Sequence, residues 1–264
     1  MTPTVLLSEI NGGVLRLTLN DQASRNSLSE AMMGAFEQAL EAAETDLAVR
    51  VIVIAATGSA FCSGHNLKEI TAHRSDRDRG RAYFSRLMER CSALMLKISG
   101  HPRPVIAEIQ GIASAAGCQL VASCDLAIAS DAARFCTPGV DIGLFCSTPM
   151  VALSRNVAPK HAMEMLLTGE AVSAAEAWRF GLVNRVVSPN ELSGAVAELA
   201  RQIAGRSTLT VKTGKQAFQQ QRGMTLEDAY AFASAVMTEN LLARDAEEGI
   251  GAFIEKRRPQ WTDR

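Results

Sequence analysis

Two stretches of the chain share one layout: an apolar run, a loop of small residues, then the start of a helix. The first is Val51-Ile-Val-Ile-Ala55 followed by Ala60-Phe-Cys-Ser-Gly-His-Asn-Leu67. The second is Pro104-Val-Ile-Ala-Glu-Ile109 followed by Gly111-Ile-Ala-Ser-Ala-Ala-Gly-Cys-Gln119. Short apolar runs bounded by turn residues read as buried strands. Glycine and alanine in the loops let a ligand approach the backbone, and a helix start points free N–H groups outward. Two such groups converging on one oxygen make an oxyanion hole; a pair of ordinary tight turns is the alternative. Neither loop matches G-x-G-x-x-G or a P-loop, and no G-x-S-x-G elbow is present, which counts against nucleotide-phosphate and Ser-His-Asp chemistry.

The remaining pattern predicts an α/β class. A hairpin opens the chain, Val5 to Ile10, Asn11-Gly12-Gly13, then Val14 to Leu19. Ser27 with Glu30 three residues on reads as a capping box for a helix whose apolar stripe is Met32, Phe36, Ala39, Leu40 and Ala43. An exposed turn at 75–80 precedes a long helix to about Ile98, Ala115 to Ser123 is a short helix, and strands fall at Leu126 to Ala129 and Arg134 to Cys136. After Pro149 helical periodicity dominates, with caps at Ser173/Glu176 and Thr225/Asp228 and two β elements, Leu182-Val183 and Val186-Val187. This divides the chain into a core, residues 1–200, and a helical tail, 201–264, that packs either on a neighbour or back on its own core.

Composition narrows the partners. The 27 Lys+Arg and 28 Asp+Glu leave a net charge of -1, so nothing draws the chain to nucleic acid or to an anionic membrane, and a small-molecule ligand is expected. No apolar run approaches the roughly 18 residues of a membrane span, and the strand-like Val5-Leu6-Leu7 leaves no room for a secretory or transit peptide. The six cysteines form no CxxC pair and mostly sit among apolar residues, so they read as reduced buried thiols, with the cytosol as the expected compartment. The four histidines show no ligand spacing, so no metal is expected.

Phe61 through Glu69, Gly111 through Asp125, Ala171 through Val187 and the tail Glu248 through Arg257, together with Leu19-Asn20 and Asn26-Ser27-Leu28, resemble the crotonase (enoyl-CoA hydratase/isomerase) superfamily. The run Thr137 through Pro149 resembles one branch of it more closely. The resemblance implies a spiral of ββα units with carboxyl-terminal helices that build homotrimers or hexamers. It implies an acyl-CoA or enoyl-CoA substrate, with coenzyme A part of the substrate and no further cofactor, and enoyl-CoA hydratase-like lyase chemistry of fatty-acid metabolism. By motif position the oxyanion donors are the N–H groups of His65 and Ala116, the latter replacing a usual glycine. RNA binding, known for one branch, is disfavoured by the near-neutral charge.

One departure limits that expectation. Hydratases of the superfamily relay a proton through two glutamates; the matching positions here are Gln119 and Gly139, and neither an amide nor a hydrogen atom can do that work. Candidate substitutes are Asp141, which otherwise bonds local backbone in a Pro-Gly turn, and Cys146, a nucleophile if its pKa is lowered and an inert buried thiol if it is not. The His65 imidazole is a third candidate, for substrate contact or proton relay. For coenzyme A, Arg25 matches a basic position that meets the nucleotide, and Asn66, Leu67 and Lys68 match a substrate-contacting stretch. Lys256 matches a residue reaching a phosphate on a neighbouring subunit, and solvated surface charge is the alternative for these cations. The expected function is thioester processing through an enolate, with another reaction of the superfamily or a non-catalytic acyl-CoA-binding oligomer as alternatives.

Overall fold

The computed structural model describes residues 4–264. In chain order, the hairpin β1 (Leu6–Asn11) and β2 (Val14–Leu19) leads into α1 (Glu30–Thr45), β3 (Val51–Ala56) and β4 (Ala60–Cys62). Next come α2 (Leu67–Ala72), α3 (Arg81–Gly100), β5 (Val105–Ile109), β6 (Ile112–Ser114) and α4 (Ala116–Ser123). Then follow β7 (Leu126–Ser130), β8 (Arg134–Cys136), a 3-10 turn (Pro138–Ile142), α5 (Ser147–Leu153), α6 (Pro159–Thr168), β9 (Val172–Ser173), α7 (Ala174–Phe180) and β10 (Arg185–Val187). Four helices close the chain: α8 (Leu192–Ala204), α9 (Thr208–Gln221), α10 (Leu226–Leu241) and α11 (Arg244–Ile254).

The strands form a six-stranded sheet, β1-β2-β3-β5-β7-β10, and a four-stranded sheet, β4-β6-β8-β9. Apart from the antiparallel β1-β2 and β8-β9 pairs, neighbours run parallel. The chain steps from large sheet to small sheet three times, at β3-β4, β5-β6 and β7-β8, and helical segments return it each time; this is the spiral of ββα units. Because side chains alternate across a strand, the unbroken apolar run of β3 follows from burial on both faces. Ile52 and Ile54 enter the main core with Phe36, Phe61 and Leu94, while Val51 and Val53 pack with Ile106 and Ile128 under Leu192 and Val196 of α8.

Several local expectations shift. α1 is capped not by Ser27 but by Ser29, whose side chain accepts from the Met32 N–H. Leu28 pairs as a bridge with His65, which holds residues 26–28 off the helix path. Leu182 and Val183 form no strand: both donate to the Ala177 carbonyl after α7 ends at Gly181, which has φ 87°. The strand begins at Arg185. The Ser173/Glu176 box forms in both directions, and Thr225 caps α10 through the Asp228 N–H.

A buried ion pair ties the tail to its own core. Lys215 of α9 donates to Asp125 Oδ2 at 2.7 Å and to the carbonyls of Ile98 and Arg103. Even so, α9 and α10 bury no residue and α11 buries only Asp245 and Ala252. Phe218, Tyr230, Leu242 and Phe253 are exposed in the single chain.

Candidate active site

β3 and β5 are neighbours in one sheet and β4 and β6 in the other, so the two small-residue loops leave the core side by side. Glycines allow the contact. A Cβ on Gly111 would overlap the Ser59 carbonyl, and one on Gly117 would overlap the Cys62 carbonyl. Gly64 has φ +91°, and a Cβ there would lie 3.3 Å from the Ala116 nitrogen and 3.1 Å from the Ser114 oxygen. The first loop is thus laid on the start of α4, backbone against backbone.

Both loops are held from outside. The segment around Arg25 clasps the first: the Ser63 N–H donates to the Arg25 carbonyl, Ser63 Oγ to the Ser24 carbonyl, and the Leu28 N–H to the Gly64 carbonyl at 2.8 Å. The fully buried Asn26 braces it further, donating to the carbonyls of Thr57 and Ala60 while accepting from the Asp21 N–H. Arg25 and Asn26 both adopt φ 56°, a left-handed conformation that asparagine tolerates better than most residues. The motif Asn26-Ser27-Leu28 is visible in the sequence, but this role is not, because the carbonyls Asn26 reaches lie 31 and 34 residues away. In the second loop Ala115 has φ 49° and ψ -115°. A non-glycine residue there is strained by about 1–3 kcal/mol and needs its surroundings to hold it. The Cys136 carbonyl of β8, accepting the Ala115 N–H at 2.9 Å, supplies that restraint.

The N–H groups of His65 and Ala116 therefore start from two abutting loops, and among the described residues neither has an acceptor. The His65 ring places Nδ1 3.4 Å from the Leu28 carbonyl, while Nε2 is buried and without a partner among the described residues. Burial lowers the His65 pKa and keeps the ring neutral. Gln119, on the first turn of α4, is buried, with Cys91 Sγ 4.0 Å from its Oε1.

Gly139 is buried in the 3-10 turn, where a Cβ would stand 2.8 Å from the Leu144 carbonyl and 3.0 Å from Cys146 Sγ. Any side chain at 139 would have to displace one of them. Cys146 is buried and its thiol is pushed up by burial, the opposite of what a nucleophile needs. Asp141 is exposed, with Oδ1 3.3 Å from the Cβ position of Gly169 at the end of α6.

Arg25, Leu67 and Lys68 are exposed beside the first loop. Asn66 is spent locally: it caps α2, its Oδ1 accepting from the Lys68 N–H at 3.0 Å. Lys256 is not brought to the loops within one chain. Its segment is anchored by the Arg50–Asp263 pair at the amino end of β3, whereas the loops leave the carboxyl ends of β3 and β5. A cavity of about 1060 Å³ lies among α3, α4, α5, α8 and α9; Gln119 is on its wall, with Met95, Val151 and Phe218, but His65 and Ala116 are not. Among the described residues no group of three or more His, Cys, Asp or Glu is placed to hold a metal.

Comparison with known proteins identifies the family of the chain. Residues 9–264 match the enoyl-CoA hydratase/isomerase family. The mitochondrial enoyl-CoA hydratase domain-containing protein 3 of Xenopus laevis is 46% identical over 261 residues, 99% of this chain and 87% of that protein. The crystal structure of human enoyl-CoA hydratase domain-containing protein 3 superposes with a TM-score of 0.93 at 44% identity, covering 97% of this chain and 100% of that one. An enoyl-CoA hydratase from Mycobacterium smegmatis superposes at 0.92 with 48% identity, covering 97% and 98%. The branch resembled by Thr137 through Pro149 is that of domain-containing protein 3. The cytosolic expectation is overturned by these relatives, whose vertebrate members carry "mitochondrial" in their names. Reduced thiols separate reducing from oxidising compartments and do not single out the cytosol. The family match, the shared fold and the end-to-end identity lead to one conclusion: the chain belongs to the enoyl-CoA hydratase/isomerase (crotonase) family.

Proposed function

We propose that the protein processes acyl-CoA thioesters, with the thioester oxygen received between the N–H groups of His65 and Ala116 and an enolate as the stabilised species. The observation that carries this reading is the contact of Gly64 with the Ala116 nitrogen, which sets two acceptor-free N–H groups on abutting loops. Each donor aimed at developing oxyanion charge is worth about 3–4 kcal/mol. Coenzyme A enters as part of the substrate, with Arg25 and Lys68 beside the first loop for its phosphates and Lys256 supplied by a neighbouring copy. A homotrimer, alone or paired into a hexamer, covers the apolar faces of α9 to α11.

Hydration is the least supported of the reactions. Gln119 can orient a water but cannot relay its proton, and the packing around Gly139 gives no second acid; losing that help costs on the order of 10²–10⁴-fold. A non-catalytic acyl-CoA-binding oligomer is the second reading, favoured by the same Gly139 packing. Crotonyl-CoA turnover, followed by enoyl-thioester absorbance, separates hydration from the rest. A panel of acyl-CoA esters with mass-spectrometric readout then tests isomerase, hydrolase and decarboxylase reactions. Tight thioester binding with no product from any ester supports the second reading; no thioester binding at all contradicts both.

A further inference from the structure

We propose that the cavity of about 1060 Å³ among α3, α4, α5, α8 and α9 is a binding site for a long-chain carboxylate, with the chain on its apolar wall and the head group on Arg155 and Arg222. The inference does not rest on the acyl-CoA reading, because neither His65 nor Ala116 is on the wall of this cavity.

The volume lies at the upper end of the range for small-molecule pockets, about 300–1,000 Å³. Val211, Lys215, Phe218 and Arg222 line it and are spaced by three or four residues, so they share one face of α9. Lys215 on that face reaches Asp125 of the core at 2.7 Å, which turns the whole stripe inward. Phe218 is nevertheless 59% exposed, and Leu96 of α3, on the same wall, 71%. Accessible apolar surface of this kind, rimmed by polar groups, marks a ligand-binding groove.

The rim carries one sign of charge. Arg155, Arg185, Arg206 and Arg222 line the cavity, and among the described residues none of them is paired with a carboxylate. Asp125, the one acid on the wall, is spent on Lys215. Two of the arginines are fixed in place. Arg155 Nη1 donates to the Val151 carbonyl at 2.8 Å, and Arg222 Nη2 to the Arg155 carbonyl at 2.7 Å. Each guanidinium has five N–H donors and these contacts use one, so donors remain on both for the two oxygens of a carboxylate. The Arg222 guanidinium also lies 5.7 Å from the centroid of the Phe218 ring, which joins the charged rim to the apolar wall. A neutral ligand would leave the arginines unmatched, and a fully polar anion would leave the apolar wall unmatched. An amphipathic anion satisfies both.

Calorimetric titration of the full chain with decanoate should show a saturable site. 1-Decanol, with the same chain and no charge, should bind about tenfold more weakly or worse. Arg155→Gln combined with Arg222→Gln should lower the decanoate affinity about tenfold or more and leave that of 1-decanol unchanged. Val151→Trp adds bulk at a half-exposed residue of the wall and should weaken both ligands by filling the cavity. No decanoate binding by the wild-type chain, equal affinity for decanoate and 1-decanol, or unchanged decanoate affinity in either folded variant would overturn the proposal. So would decyl phosphate binding where decanoate does not. Sedimentation velocity adds a readout of assembly, which decanoate should leave unchanged. Dissociation toward monomer as decanoate binds would make a neighbouring copy the occupant of the cavity and overturn the proposal.

Discussion

Gly64 and Ala116 meet backbone to backbone: a methyl group on the glycine would stand 3.3 Å from the alanine nitrogen. Together with the approaches of Gly111 to Ser59 and Gly117 to Cys62, it sets the spacing of the two loops, and it depends on a residue that carries no Cβ and accepts φ +91°.

Gly117→Ala tests the zipper behind that contact. The added methyl would overlap the Cys62 carbonyl, an atom of backbone that cannot rotate aside. A destabilisation of about 1–3 kcal/mol is expected from overpacking, read as a lower urea midpoint with an unchanged m-value. Gly194→Ala is the control, because nothing lies within 4 Å of its Cβ position.

The buried pair Lys215–Asp125 fastens the helical tail. Lys215 and Asp125 are each shifted toward their neutral forms by burial, and each is held charged by the other. Lys215→Met leaves Asp125 unpaired and should cost about 3–5 kcal/mol, whereas replacing both with apolar residues of similar volume should cost much less. A double-mutant cycle by chemical denaturation measures the difference.

His101 makes stability depend on pH. It is buried, donates from Nε2 to the Leu40 carbonyl and accepts the Arg103 N–H at Nδ1, an arrangement open only to the neutral ring. Burial lowers its folded pKa below the value of about 6.5 expected in the unfolded chain. Between those two values the unfolded state binds more protons, so stability rises with pH there and is full above about pH 6.5. Below it, the loss reaches about 1.4 kcal/mol per pH unit for this one group. Urea titrations on either side of that value should show the slope, and His101→Gln should reduce it.

Much of this was legible from residue types and spacing because the relevant forces are local. The hairpin turn at Asn11-Gly12-Gly13, the box at Ser173/Glu176 and the doubly buried run of β3 all announce themselves within a few residues. In the small sheet only β8 is legible, as the expected strand Arg134 to Cys136; β4 and β6 are three residues long, too short for a period-2 pattern, and they exist because Ala60, Ile112 and Arg134 line up across the spiral. The displaced cap of α1 has the same origin, since the pairing of Leu28 with His65 spans 37 residues. At the site, the two small-residue loops could be read from their glycines, but the packing of Gly139 on Cys146 and the pinning of Ala115 by Cys136 depend on contacts that no local pattern encodes.

The exposed apolar face of the tail should be covered in solution. Phe253 and Leu242 are 85% and 76% exposed in the single chain. Sedimentation velocity should give a trimer or hexamer, and Phe253→Glu with Leu242→Glu should shift it toward monomer. A monomeric wild-type chain would contradict this assembly.

The pairing of the two N–H groups is tested most directly by a crystal structure with acetoacetyl-CoA bound. The thioester oxygen is expected within about 3.1 Å of both the His65 and the Ala116 nitrogen. A thioester seated elsewhere, for example in the cavity walled by Met95 and Phe218, or an oxygen reaching only one of the two nitrogens, would contradict it.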